Sequence, residues 1–515
     1  MNFVTQGLAT RSRPVFAFFA ASGLAAALLT LSACGGGEQP TAASKVVERA
    51  QPETPADDAG VDQRPEDRHE ARPPNIVLIV GDDHGWPYYG FLGDPNVVTP
   101  NLDRLATEGA LFTIAHVTAN HCRPALQTLM TGLYPVQYQS WLDQRIEARI
   151  AEDAAYQAAP PQEQGARRLA LETTLMSEFE TLPVLLKEKG YVSFQGGKWW
   201  EGAYDNGGFD EGMAAGWRAE DVSKEGWFFQ FMGGDGIELG RTTMAPVMDF
   251  IEDNKERPFY IWYGPSLPHT PLNPPPEHRG HYEDKAFSES AKDYYGNITW
   301  FDHGIGELVA KLDAEGVLEN TLIVFVNDNG WEQPPTAEYK DDRDLYSNGG
   351  VRGKLSVFET AFRTPIFFHW PAKIDAARND DALVSAIDLV PTILDYAGVD
   401  APAGLPGYSL KPLMEGEPID ARDYLIGRTT QHRADSDYLG NRISDATDLM
   451  GRNDEAYYVR DRRWHFVWLP ASDEMALYDM VEDPGQTANV VDAHAELVAG
   501  FMAEIDKWKA AYVPG

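Results

Sequence analysis

The sequence predicts an α/β fold: a mostly parallel sheet sandwiched by helices, followed by a small C-terminal α+β subdomain. Three observations predict it. The runs Asn75 to Gly81 and Thr321 to Val326 are apolar, as strands buried on both faces must be, and Tyr191 to Gly197 and Phe259 to Tyr263 also read as strands. Helical stretches alternate with them, Leu182 to Gly190 and about Ser290 to Glu315 among them. Polar residues stand directly after the runs: Asp82 and Asp83, Lys198, His269, and Asp328 with Asn329. In open α/β sheets that carboxyl edge is where ligands bind.

At 515 residues, with 43% hydrophobic and 24% charged residues, the chain has the composition of a globular protein with a large core. A formal net charge of -36 argues against nucleic acid as a partner and requires a local positive site for any anionic substrate. Residues 1–33 read as a signal peptide, with Arg11 and Arg13 ahead of an apolar run from Val15 to Leu31. Its end, Leu31-Ser32-Ala33-Cys34, resembles the lipobox of bacterial lipoproteins, which implies cleavage before Cys34, lipid on that cysteine, and export to the periplasm or outer membrane. The other reading, an uncleaved anchor, needs a longer apolar run. Cys34 and Cys122 are the only cysteines, so a lipid on Cys34 leaves Cys122 a free thiol that must be buried or modified.

Residues 34–74, rich in Gly, Pro, Ala, Glu and Asp, read as a disordered tether, and the catalytic domain is expected over residues 75–420. Thr99-Pro100 to Gly109 carries an N-cap, a first-turn proline and a closing glycine. Pro124 and Gly132 predict a helix with Cys122 just before its N-terminus, where unpaired N–H groups favour an anionic atom. About 139–174 is polar and reads as a helical surface insertion to which no chemistry attaches. Residues 421–515 form the expected C-terminal subdomain: Tyr457 to Arg460 and Trp464 to Leu469 read as a hairpin, and about Asp492 to Tyr512 as a last helix.

Taken singly, each polar residue after a strand has a plain reading as a turn, a cap or a solvated end. Together they describe a site. Three carboxylates and an amide offer only oxygen ligands, which selects a hard metal, calcium ahead of magnesium. Lys198, Lys354 and His269 would add positive charge, suiting a tetrahedral oxyanion such as sulfate or phosphate.

From Asn75 almost to its end the chain resembles the sulfatase family of the alkaline phosphatase-like superfamily. Thr99-Pro100-Asn101-Leu102-Asp103-Arg104-Leu105 matches that family's T-P-N-L-D-R-L helix, and Cys122 to Gly132 resembles C-x-P-S-R followed by T-G, whose cysteine becomes formylglycine. Gly197-Lys198-Trp199 is similar to the start of G-K-W-H-L-G, Pro268 to Pro271 to P-H-x-P, Asp328-Asn329-Gly330 to the second metal pair, and Gly353-Lys354 to the segment with the second active-site lysine. The resemblance implies hydrolysis of a small-molecule or glycan sulfate ester through a covalent sulfo-enzyme, with Cys122 oxidised by a formylglycine-generating enzyme. It implies calcium on Asp82, Asp83, Asp328 and Asn329, with Lys198, His269 and Lys354 as catalytic residues. Two positions depart from the pattern: Leu126 stands for the motif arginine and Trp200 for the histidine of G-K-W-H. A phosphate or phosphonate ester hydrolase and a non-catalytic calcium-dependent binding protein therefore stay open beside the sulfatase. Trp86, Trp199, Trp200 and Trp331 are read either as core or as a platform for a sugar or aryl ring.

Overall fold

Each central strand feeds two cores. In β1 (Asn75–Gly81), Ile76, Leu78 and Val80 point into one apolar cluster while Val77 and Ile79 point into another, which is why the run is apolar without alternation. The same division holds in β5 (Phe259–Gly264) and β6 (Thr321–Asn327). The structure, a computed structural model, describes residues 72–513 apart from 87, 223, 332–352 and 430–454. The segments read as signal peptide and tether, with Cys34, lie outside the described residues.

The remaining strands of this sheet are β2 (Ala110–His116), β3 (Val192–Gly197), β4 (Glu211–Gly212), β7 (Arg363–His369) and β8 (Ala377–Ser385). Their order is β4-β3-β5-β1-β6-β7-β2-β8. Every pairing is parallel except those of β7, which runs against both β6 and β2. One edge of the sheet therefore collects the carboxyl ends of β3, β5, β1, β6 and β2 and the amino end of β7. Helices α1 (Pro100–Glu108) and Glu289–Ala314 cover one face, and α2 (Cys122–Thr131), α3 (Pro135–Glu152) and Leu389–Ala397 cover the other.

The stretch read as a surface insertion is helical, but it is not only surface. Helix α3 starts at Pro135, four residues earlier than expected, and buries Tyr138, Leu142 and Ile146 in the core. A second sheet, β9 (Leu425–Thr429), β10 (Ala456–Arg460), β11 (Trp464–Leu469) and β12 (Glu474–Asp479), is antiparallel in the order β12-β11-β10-β9. Asp461 closes the β10–β11 hairpin by accepting the backbone N–H of Arg463 and Trp464 at 2.7 and 2.6 Å. The last helix, Ala495–Tyr512, packs Phe501, Ile505 and Trp508 on one face of this sheet. On its other face Ala456, Tyr458, Val467 and Leu469 join the main core, and this docking brings the end of β9 to the carboxyl edge of the large sheet.

Candidate active site

Helix α2 begins at Cys122, two residues before the position that Pro124 suggests, with His121 as its N-cap. Pro124 falls in the first turn, where a missing N–H costs nothing, and Gly132 (φ 71) closes the helix by donating to Thr128 O. Cys122 is thereby buried with its Sγ 3.9 Å from Oδ1 of both Asp82 and Asp83 and 3.1 Å from Lys198 Nζ. Lys198 is aimed by Gly197, whose left-handed φ of 100 lets the Lys198 N–H donate to Gly264 O at 2.7 Å. A Cβ on Gly197 would meet that carbonyl oxygen at 1.9 Å.

Each lysine reaches one of the aspartates. Lys198 Nζ lies 2.5 Å from Asp82 Oδ1, and Lys354 Nζ 3.0 and 3.1 Å from the two oxygens of Asp83. His269 Nε2 is 3.5 Å from Asp83 Oδ2. Burial pushes both aspartates up, but the cations outweigh it: Lys198, ahead of His269 and Lys354, holds Asp82 at about 2, and Lys354 with His269 lowers Asp83. Asp82 acts on Lys198 in turn and, against burial, holds its ammonium above the ordinary lysine range. Asp328 behaves oppositely, because burial and then the neighbouring Asp82 raise its carboxyl well above the ordinary range. Burial and Asp328 also push the Cys122 thiol well up, so the helix terminus does not prevail there and sulfur is held as a neutral thiol.

Asp328 Oδ1 accepts the Asp83 N–H at 3.1 Å, and Asn329 Nδ2 donates to Asp83 Oδ1 at 2.6 Å. Asp328 Oδ2 and Asn329 Oδ1 are buried without a hydrogen-bond partner. Ligand atoms of Asp82, Asp83, Cys122 and Asp328 all lie within 4.8 Å of one another. Buried carboxylate and amide oxygens left unpaired are costly, and a hard divalent cation satisfies them, so the donor set fits a metal. The structure thus brings together all eight residues proposed for the site.

Sequence reasoning missed the residues that hold these groups in place. Ser266 donates to Asp82 Oδ2 at 3.1 Å; it follows β5 at the same carboxyl edge, a signal that was available. Tyr294 donates to Asp83 O at 2.9 Å and accepts the Gly85 N–H at 3.0 Å, which supports Asp83 at its positive φ of 60. Arg241 and Asn297 both donate to His269 O and so fasten the proline-flanked loop. Asn120 accepts the Leu355 N–H through its backbone and the Thr429 hydroxyl through its side chain, tying the Lys354 segment and the end of β9 to the loop before Cys122. Apart from Ser266, none of these partners leaves a local trace.

Leu126 is packed in the core, and Arg123 does not take the place of the motif arginine: its Nε and Nη2 donate to Glu201 at 2.8 and 2.9 Å and its Nη1 to Glu172 at 3.1 Å. Glu172 comes from the stretch to which no chemistry was attached. His121 is held neutral, since burial, ahead of the cations Lys354 and Arg123, lowers it to about 3. Trp199 and Trp331 are core, Trp86 stacks under Arg363 at 3.8 Å, and Trp200 lines a cavity of about 510 Å³ beside Cys122 and Lys354.

The sulfatase family model matches residues 74–399, more than half of the chain. This protein belongs to the sulfatase family. It is 26% identical to human arylsulfatase A over 498 residues, covering 84% of this chain and 86% of the relative. It is 29% identical to dog N-acetylgalactosamine-6-sulfatase over 383 residues, 68% of each chain. Its fold matches the crystal structure of Ps i-CgsB in complex with k-i-k-neocarrahexaose, with a TM-score of 0.63, 23% identity, and coverage of 86% of this chain and 94% of that one. This sulfatase thus stands among enzymes that hydrolyse sulfate esters with a metal ion and formylglycine. Among its described residues no helix is long and apolar enough to cross a membrane.

Proposed function

We propose that this sulfatase hydrolyses a sulfate monoester with formylglycine at position 122 and calcium held by Asp82, Asp83, Asp328 and Asn329. The observation that carries the reading is the position of Cys122 Sγ, 3.1 Å from Lys198 Nζ at the rim of the carboxylate group. An oxygen nucleophile at that place would face a fixed ammonium. Converted to formylglycine, residue 122 supplies a hydrated aldehyde as nucleophile, and calcium supplies the Lewis acid. Lys198 would hold the nucleophilic oxygen. Lys354 and His269, both beside Asp83, would bind the sulfate oxygens or protonate the leaving alcohol oxygen. Burial of Asp82, Asp83, Cys122, Lys198, Asp328, Asn329 and Lys354 limits water and strengthens each of these interactions. A hard cation suits the oxygen donors better than a soft one, and calcium, tolerant of irregular oxygen sets, is preferred to magnesium.

The remaining parts of the reading rest on sequence. Residues 1–33 would be removed, Cys34 lipidated, residues 34–74 serve as tether, and residues 75–420 and 421–515 form the catalytic domain and the C-terminal subdomain. The enzyme would then work at the periplasm or outer membrane on a small-molecule or glycan sulfate ester.

Mass spectrometry of the peptide carrying Cys122, on protein from its native host, tests the nucleophile: formylglycine lowers the mass by about 18 Da. Assay of aryl sulfate against aryl phosphate and phosphonate, with chelator and with added calcium, tests the reaction. An unmodified thiol together with no sulfate release would reject the reading, and calcium binding without turnover would mark a binding protein.

A further inference from the structure

Cys122 and Lys198 sit on separate elements, the start of α2 and the loop after β3, yet Sγ and Nζ are 3.1 Å apart. Helix α2 does not fix this by itself. No side chain caps its amino end, and its first turn holds no acidic residue. A fastening comes from Glu201, three residues beyond Lys198 and only 3% exposed. Its Oε1 accepts from Arg123 Nε at 2.8 Å and from Gln127 Nε2 at 2.9 Å, and its Oε2 accepts from Arg123 Nη2 at 2.9 Å.

Arg123 follows Cys122 directly, and Gln127 lies one helical turn further along the same face. A single buried carboxylate therefore grips the first turns of α2 from the segment that carries Lys198. The paired guanidinium and carboxylate set both distance and plane, because two parallel N–H···O bonds restrict rotation. The Glu201 backbone is held in turn: its carbonyl accepts from Asn206 Nδ2 at 2.8 Å, and Gly202 (φ 74) makes room, since a Cβ there would meet that nitrogen at 2.8 Å. Glu201 stands where G-K-W-H-L-G has leucine, so the grip belongs to this chain and not to the motif.

We infer that Glu201 is a positioning residue: by gripping Arg123 and Gln127 it holds residue 122 within hydrogen-bond reach of Lys198. It does not line the cavity and takes no part in bond cleavage. Its effect on turnover rests on the sulfate ester reading above, because a nucleophile displaced by about 1 Å reacts up to about 100-fold more slowly.

Glu201→Gln tests it, with rates on an aryl sulfate expressed per molecule carrying formylglycine, as measured by mass spectrometry. In this variant kcat should fall about 10- to 100-fold while KM stays within about twofold. Glu201→Asp keeps the charge beside Arg123 with a shorter reach, which guards against a variant that does not fold, and should lose about 3- to 10-fold in kcat. A lower melting temperature with kcat unchanged makes Glu201 structural and overturns the inference, as does a loss confined to KM. If the wild-type protein releases no sulfate, the sulfate ester reading fails by itself. Crystal structures of the wild type and Glu201→Gln then decide the positioning. The side chain of residue 122 should move beyond about 3.5 Å from Lys198 Nζ in the variant, and an unchanged separation overturns the inference.

Discussion

Two buried charge clusters lie at the carboxyl edge of the large sheet, and only one is built for chemistry. Around Glu359, both carboxylate oxygens are matched: Oε1 meets Arg460 Nε at 2.7 Å and His116 Nε2 at 3.3 Å, and Oε2 meets Arg363 at 3.6 Å. Burial would raise Glu359, but Arg460 and Arg363 hold it well below the ordinary carboxylate range. The group joins β2 and β7 of the large sheet to β10 of the small one. Around Asp328 the account does not close, because burial and Asp82 raise its carboxyl while its Oδ2 and Asn329 Oδ1 have no partner. A buried carboxylate matched on both oxygens is a fastening. One that is short of a cation is a binding site.

The largest effect that would break this comparison is on stability. Glu359→Gln leaves Arg460 and Arg363 buried without their counter-charge and should cost about 3–5 kcal/mol in chemical denaturation. The pH dependence follows from the depressed carboxyl. Its contribution is complete above the unfolded value near pH 4.3 and is lost as pH falls through the lower folded value, so the gap between wild type and variant should narrow only below about pH 4.3.

Asp328→Asn should do the reverse. It replaces a carboxyl whose anion burial and Asp82 already disfavour, so the chelated protein should be no less stable, while sulfate ester hydrolysis falls at least about 100-fold. Loss of stability with activity retained would reverse the assignment of the two clusters. The smallest effect is expected from Trp200→Ala: loss of ring contact should raise KM by about 3- to 10-fold. A lower melting temperature with KM unchanged would place Trp200 in packing alone.

Sequence alone determined the sheet and the edge that carries the site. Ile76 to Gly81 and Leu322 to Val326 are apolar at every position because both faces are buried, and polarity resumes where each strand ends, so Asp82, Asp83, Asp328 and Asn329 are legible as a group. Ordered motifs around Cys122, Lys198, His269 and Lys354 supplied the remaining four. Tertiary structure decided what surrounds them. Tyr294 lies near the start of a 26-residue helix, Glu172 in a polar stretch and Thr429 at the end of an antiparallel strand of another sheet. None of these differs locally from an ordinary core tyrosine, surface charge or strand-end hydroxyl. Their roles arise from contacts across 49 to 309 residues of chain, such as Arg123 with Glu172 and Asn120 with Thr429. Periodicity reports burial near a residue in sequence; it carries no record of which distant side chain completes a hydrogen bond.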